Sequence, residues 1–245
     1  GEWSGDWTGG IFRQHENSFR GSLMRTMATG VFMADQLLYM TKKSVPSENI
    51  HAAFWHSFSN DAQAMFSIQT SHEQGLAYKG KSTDEGYGYR MPIYWVFKLL
   101  SEQRGELLVE SHLHGDNAIA APKTGVYRDP KYSFQRVSHC ASVSHGVAGN
   151  GDKLYLALLN KDARQRVQVR INIRDWQPGT EVEVHEVGAD SYLAENTIDK
   201  PDTVTLSGPR VERVGDDAGA MPFLLKPNTL AVLRFDRDSD NANLK

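Results

Sequence analysis

The chain has 245 residues, with 27 lysines and arginines against 30 aspartates and glutamates, and a formal net charge of −3. Its 40% content of hydrophobic residues is typical of a globular protein of one large or two ordinary domains. The negative charge provides no field that would attract a phosphate backbone, so nucleic acid is not expected as a partner. Cys140 is the single cysteine, which excludes an intramolecular disulfide and any zinc site with two thiolates.

The chain before Gly105 shows helical periodicity and one buried strand. Apolar residues spaced by three and four predict a helix over residues 22–42, which ends before a proline. The mostly apolar run 50–58 predicts a strand buried on both faces, and residues 91–100 predict a helix with proline in its first turn. Helix, buried strand, loop and helix form a fragment of β/α alternation, which needs neighbours to bury its faces.

After Gly105 the hydrophobic period changes to two, and turn residues recur at short intervals. Strands are predicted over residues 106–111, 138–147, 153–159, 167–173, 181–187, 223–225 and 229–235. Within this region the pair Asn150-Gly151 predicts a tight hairpin turn. About seven short strands separated by turns predict an antiparallel β-sandwich over residues 106–236, followed by a polar tail at 237–245.

The strongest candidate for chemistry is the carboxylate of Glu2, which stands beside the indole of Trp3. An aromatic ring can cover the apolar face of a sugar while a neighbouring carboxylate meets the anomeric carbon. In a (β/α)8 barrel the catalytic groups lie at the C-terminal ends of strands. Counted backwards from the sandwich, the elements after Glu2 fit helix seven, strand eight and helix eight, with Glu2 at the end of strand seven.

Passages in both halves of the chain carry a family resemblance. They are Glu2-Trp3, residues 53–58, and the sandwich segments 154–161, 195–204 and 225–233. Together these passages resemble the retaining glycoside hydrolases of the barrel clan, most of all the α-L-arabinofuranosidases of glycoside hydrolase family 51. The Asn-Thr…Pro-Asp-x-Val pattern in the second sandwich segment is the most specific of them, and the match in order covers nearly the whole chain.

The resemblance implies a double displacement in which Glu2 attacks the anomeric carbon and forms a glycosyl-enzyme intermediate. A second carboxyl group, about 5–5.5 Å away, would protonate the leaving oxygen and then activate water. In these families that group is a glutamate after an asparagine at the end of strand four, a pattern that this sequence lacks. The acid/base is therefore expected outside this chain. Trp3 and Trp55 are the candidate sugar-stacking residues, and His56 is a candidate hydroxyl contact.

The predicted fold class is α/β plus all-β. Residues 1–105 are expected to be the C-terminal segment of a (β/α)8 barrel, from the end of strand seven to helix eight. Residues 106–236 are expected to form an accessory β-sandwich. A whole barrel takes about 250 residues, so we expect that this chain, which has no initial methionine, belongs to a longer protein and lacks hydrolase activity by itself.

The expected partners are a carbohydrate substrate and the remainder of the barrel, and a homo-oligomer is a further option. No membrane contact is expected, because the sequence contains no run of 18 apolar residues. No cofactor is expected. The pair His112 and His114 with Asp116 is weak evidence for a metal site, because nine histidines produce such pairs by chance, and no metal is expected either.

Two alternatives stay open from the sequence. One is a non-catalytic carbohydrate-binding or structural sandwich, for which a row of exposed aromatic side chains would favour binding. Residues 167–173 expose Gln168, Arg170 and Asn172 instead, which favours a structural role for the sandwich. The other is a related barrel glycosidase acting on xylosides, glucans or an algal polysaccharide, since the loops after strands one to six would set the specificity.

Overall fold

The computed structural model describes residues 25–43, 59–60, 66–68, 88–120, 133–146, 152–176, 178–197, 200–214 and 220–237. Within these ranges the chain forms two helices, α1 (Met27–Lys43) and α2 (Pro92–Glu102). The strands are β1 (Ser59–Asn60), β2 (Phe66–Ile68), β3 (Gly88–Arg90), β4 (Leu107–Val109), β5 (Ala118–Ala120), β6 (Ser133–Gln135), β7 (Val137–Ser144), β8 (Lys153–Asn160), β9 (Val167–Asn172), β10 (Pro178–Gly188), β11 (Leu206–Arg213), β12 (Ala220–Leu225) and β13 (Thr229–Arg237).

Strands β4 and β7 to β13 form a β-sandwich built on one large antiparallel sheet, while β1-β2-β3 and β5-β6 form two small separate sheets. The large sheet has the strand order β11-β10-β13-β8-β7-β4, and the antiparallel pair β12-β9 forms the facing layer. Apolar side chains between the layers, among them Ile171, Val184, Phe223, Leu233 and Phe235, form a buried core. The alternation of apolar and polar residues in β9 places one face of that strand in this core and the other in solvent. The predicted β-sandwich is confirmed.

The opposite face of the large sheet is covered by α1 and α2. The helices contribute Met27, Met33 and Leu99 to a second core, in which Leu159 and Val232 come from the sheet. The central strands β8 and β13 are therefore buried on both faces, which explains why their sequences are nearly continuous apolar runs. Gly30 is where the helices lie close together, since a Cβ there would sit 3.6 Å from the Cβ of Pro92.

Both predicted helices are present, and the start of the first one differs from the prediction. The pattern placed its start near residue 22, but Arg25 and Thr26 are described and are not in the α-helix, which begins at Met27. Thr26 instead forms an antiparallel bridge with Glu195 of the sandwich, a tertiary contact that helical periodicity does not reveal. The second helix begins one residue after the predicted start, with its proline in the first turn.

The seven predicted strands are present as β4, β7, β8, β9, β10, β12 and β13. Ser144 pairs with Lys153, so β7 and β8 flank the predicted hairpin turn, whose own residues lie outside the described ranges. Residues 181–187 repeat the alternation of 167–173, which predicts one face in solvent. This prediction is partly wrong, because His185 and Glu186 are buried. β10 lies between β11 and β13 in the sheet, and side chains on both of its faces are covered there.

The sequence did not predict β1, β2, β3, β5, β6 or β11. In β11 the Gly208-Pro209 pair and a register shift opposite β10 interrupt the alternation that marks a strand. The predicted strand 50–58 lies outside the described residues. In the part of the chain that the structure describes, no helix is long and apolar enough to cross a membrane.

Candidate functional site

The four predicted site residues, Glu2, Trp3, Trp55 and His56, lie outside the described residues, so their roles stay predictions. The described structure contains the helices that follow them along the chain. α1 comes after the segment with Glu2, and α2 comes after the segment with Trp55 and His56. The structure therefore defines the contacts that hold these two helices on the sandwich.

The N-terminus of α1 is docked on a sandwich loop through backbone hydrogen bonds. The first amides of a helix have no partner inside the helix. Here the N–H of Met27 donates to the Ala194 carbonyl and the N–H of Ala28 donates to the Tyr192 carbonyl, both at 2.8 Å. The Thr26 hydroxyl also accepts from the Ala28 N–H, at 3.3 Å. The start of α1 is thus fixed to the loop after β10.

The start of α2 is held by the side chain of Asn196, which is 1% exposed. Its Nδ2 donates to the Arg90 carbonyl, just before the helix, and to the Val204 carbonyl, both at 2.7 Å. Its Oδ1 accepts from the Val204 N–H at 2.7 Å. One amide therefore closes the loop 196–204 and joins it to α2. This geometry gives a physical reason for the Asn of the Asn-Thr…Pro-Asp-x-Val pattern, and burial of the Val204 side chain in the helix-side core gives one for the Val.

A half-buried ion pair joins the middle of α1 to the sheet. Lys161 Nζ lies 3.0 Å from both carboxylate oxygens of Asp35, and the Ser138 hydroxyl donates to Asp35 Oδ1. The Lys161 side chain is 12% exposed and that of Asp35 is 29% exposed. Because the lysine is largely removed from water, its charge depends on this carboxylate for compensation.

The C-terminal end of α1 meets the sheet at His139. Lys42 Nζ lies 3.0 Å from His139 Nε2, which is also 3.1 Å from the Ser111 carbonyl. Burial lowers the pKa of His139 and the Lys42 and His112 charges lower it further, while the contact with the Ser111 carbonyl raises it. Burial also lowers the pKa of Lys42, with an opposing effect from Cys140. The neutral imidazole is therefore the form that the folded chain favours.

This arrangement predicts a loss of stability on mild acidification. The unfolded chain has an ordinary histidine pKa of about 6.5 and binds a proton there before the folded chain does, so the free energy of unfolding falls as the pH drops below that value. Chemical denaturation between pH 5 and pH 8 should show this slope, and His139→Gln should flatten it. His114→Gln, at an exposed position, is the control and should leave the slope unchanged; an equal slope in all three proteins would contradict the assignment.

Cys140 and the histidines near Asp116 form no further chemical site in the described ranges. Cys140 is buried, and burial raises the pKa of its thiol, so it packs as a small apolar side chain. His112 Nε2 lies 2.8 Å from Glu110 Oε1. Among the described residues no group of three or more potential ligands gathers around a metal position.

Solved structures of α-L-arabinofuranosidases share this fold, a two-layer antiparallel sandwich with two helices on its large sheet. The structure is similar to the enzyme from Thermotoga maritima, with a TM-score of 0.63 and 18% identity over 86% of this chain and 38% of that one. The family 51 enzyme from Thermotoga petrophila has a TM-score of 0.62 and 19% identity, over 85% of this chain and 38% of that one. The family 51 enzyme from Bifidobacterium longum has a TM-score of 0.59 and 14% identity, over 86% of this chain and 35% of that one.

The family model for the α-L-arabinofuranosidase C-terminal domain matches residues 62–227, and the chain belongs to this family. The resemblance to the C-terminal part of family 51 glycosidases is confirmed. No curated protein matches the sequence. The chain spans little more than a third of the Thermotoga enzymes. The matched range begins before the predicted domain boundary at Gly105, so it includes α2 as well as the sandwich. The division of the chain into two domains stays a prediction.

The sequence singles out some of the residues that hold the two helices on the sandwich but not others. Asn196 and Lys161 lie in passages that carry the family resemblance, although the pattern does not tell what they contact. The buried contact of Asp35 could not be predicted from the sequence, because an acidic residue on a helix is ordinarily exposed to solvent. Its partner lies 126 positions away in the chain, and only the packing of α1 on the sheet brings the two together.

Proposed function

We propose that the chain is the C-terminal part of a retaining α-L-arabinofuranosidase that removes terminal arabinofuranosyl groups from polysaccharides. The observation that carries the proposal is the family match over residues 62–227. The similar structures include an α-L-arabinofuranosidase from Thermotoga maritima in complex with arabinose, which supports the choice of sugar. The chain would supply the nucleophile, part of the pocket wall and the sandwich.

The proposal includes a (β/α)8 barrel whose last units are formed by residues 1–105. In such a barrel, helices seven and eight are neighbours in the outer ring. The contact between α1 and α2, with both helices on the same sheet, supports this placement. The remaining barrel strands would come from a part of the enzyme outside this sequence.

In this mechanism Glu2 attacks the anomeric carbon as the leaving oxygen receives a proton from the acid/base of the missing strands. Water then releases the sugar from the Glu2 ester, with the acid/base now accepting a proton from that water. Trp3 and Trp55 would stack on the sugar, and His56 would bond a hydroxyl. The sandwich would act at a distance from this chemistry, by fixing the two helices that follow the pocket segments.

The nucleophile is tested in an enzyme that combines this chain with the remaining barrel strands. Glu2→Ala should lower turnover of an aryl α-L-arabinofuranoside by at least about 10³-fold, because the covalent route is lost. Added azide should restore turnover and yield a glycosyl azide of inverted configuration. Glu102→Ala, at a carboxylate on the exposed surface of α2, is the control and should keep wild-type turnover. Unchanged turnover of Glu2→Ala would reject this assignment.

A non-catalytic carbohydrate-binding sandwich is the weaker candidate. The exposed face of β9 carries Gln168, Arg170 and Asn172, as the alternation predicted. On β12 the exposed positions are Pro222 and Leu224. Neither of the two strands that form the outer layer presents an aromatic row on which sugar rings could stack, so the geometry favours support of the barrel as the role of this domain.

A further inference from the structure

A polar cavity of about 330 Å³ opens at one end of the sandwich, beside the loop that follows β10. Three segments meet there: the loop between β8 and β9, the end of β10 with the start of β11, and the turn between β12 and β13. Its polar lining includes Arg164, Arg166, Glu186, Asp190, Ser207 and Lys226. The cavity shares none of its residues with the candidate active site.

The cavity contains a buried carboxylate that is only half satisfied. Glu186 is 4% exposed, and its Oε2 lies 2.8 Å from Arg210 Nη1 and 3.1 Å from Lys226 Nζ. Its Oε1 is buried with no hydrogen-bond partner in the structure. A buried acceptor without a donor is costly and uncommon in native proteins. A ligand hydroxyl that reached this oxygen would supply the missing donor.

The rim of the cavity carries an excess of positive charge. Arg164 and Arg166 are exposed, and neither guanidinium has a carboxylate partner among the described residues. With Lys226 they give three cations in the lining, against the two carboxylates of Glu186 and Asp190. An arginine guanidinium matches the planar, two-oxygen geometry of a carboxylate. The rim is thus suited to an anionic group next to hydroxyls.

Two buried asparagines hold the cavity loops in place. Asn160 Nδ2 donates to the Gln165 carbonyl at 2.8 Å and to the Lys226 carbonyl at 3.0 Å. The Asn228 N–H donates to the Asp162 carbonyl at 3.1 Å. These bonds tie the loop with the two arginines to the turn with Lys226. The loop backbones are therefore held together before any ligand arrives, which lowers the entropic cost of binding.

We infer that this cavity binds a sugar acid, with the carboxylate on Arg164 and Arg166 and a hydroxyl donated to Glu186 Oε1. The inferred site includes none of the candidate active-site residues and binds without reaction. The inference rests on the proposed function at one step, the choice of ligand. Among anions that carry hydroxyls, that function selects uronic acids, the carboxylated units of polysaccharides. Binding there would keep the enzyme on acidic regions of a polysaccharide while the pocket acts elsewhere.

The test is an NMR titration of the whole chain, labelled with ¹⁵N, with glucuronate and galacturonate at low salt. Saturable shifts are expected at the backbone amides of residues 164–166 and of Lys226, Asn228 and Thr229. Glucose and galactose lack the carboxylate, and acetate lacks the hydroxyls, so each should bind at least about tenfold more weakly. The double variant Arg164→Ala, Arg166→Ala should lose about tenfold in affinity for the uronates. Arg170→Ala, at an exposed arginine outside the cavity, should match the unsubstituted chain.

Glu186→Gln tests the hydroxyl contact by itself. The variant should weaken uronate binding and should not weaken acetate binding, because it removes a negative charge from the lining. A thermal melt of each variant confirms that it is folded. Equal affinity for acetate and uronates, equal affinity for neutral sugars, or no saturable shifts would each overturn the inference. Since no turnover is measured, a failed nucleophile test would not change this result, and absent binding would leave the proposed catalytic role intact.

Discussion

Asn196→Ala is expected to lower the free energy of unfolding by about 2–4 kcal/mol. The substitution removes a buried amide that donates to the Arg90 and Val204 carbonyls and accepts from the Val204 N–H. Alanine leaves these three backbone groups unpaired in a site from which water is excluded, so each loses a partner that the unfolded chain finds in water. Urea denaturation followed by far-UV circular dichroism measures the change.

The matched control is Asn172→Ala, at an exposed asparagine on β9. It should change the free energy of unfolding by less than about 0.5 kcal/mol, because a surface side chain loses no buried bond. The two variants share the same chemical change and differ in burial. A similar, small effect of both would show that Asn196 does not hold α2 on the sandwich.

Asp35→Ala is expected to destabilise the chain by about 2–3 kcal/mol. The change leaves Lys161, which is 12% exposed, without its carboxylate, and it also removes the acceptor of the Ser138 hydroxyl. The effect should be smaller than for a fully buried pair, where loss of one partner costs about 3–5 kcal/mol, because Asp35 is partly in water. Thermal and urea denaturation at pH 7 provide the measurement.

The double variant Asp35→Ala, Lys161→Met distinguishes an unpaired charge from lost packing. Methionine retains most of the apolar length of lysine, so the double variant should be more stable than Asp35→Ala alone. Glu102→Ala is the control for an exposed ion pair, since Glu102 contacts Lys98 on the surface of α2, and should cost less than about 0.5 kcal/mol. Equal costs for Asp35→Ala and Glu102→Ala would contradict the argument.

These contacts connect the sandwich to the proposed catalysis. Asn196 fixes the start of α2, and Asp35 with Lys161 fixes the middle of α1. Since these helices follow the segments with Glu2 and with Trp55 and His56, the proposed nucleophile and pocket wall would depend on the sandwich for their position. A misplaced reacting group can cost about 10²-fold in rate, so contacts far from the pocket can affect turnover.

The sequence predicted the sandwich well because the relevant signal is local. Strict alternation along residues 167–173 marks a strand with one wet face, which the structure shows as β9. β11 was missed because Gly208-Pro209 interrupts it, and its pairing with β10 is a long-range contact. Burial of Glu186 was missed for the same reason, since its cations, Arg210 and Lys226, come from other segments.

By itself, the sequence determined the two helices, seven of the strands, the sandwich and the family, because hydrophobic period, turn residues and short motifs are properties of neighbouring positions. The tertiary structure alone decided that both faces of the large sheet are covered, that Asn196 and Asp35 hold the helices, and that Glu186 lies beneath a basic rim. These features depend on pairs of residues far apart in the chain. Their contact energies arise only when the strands and helices pack together.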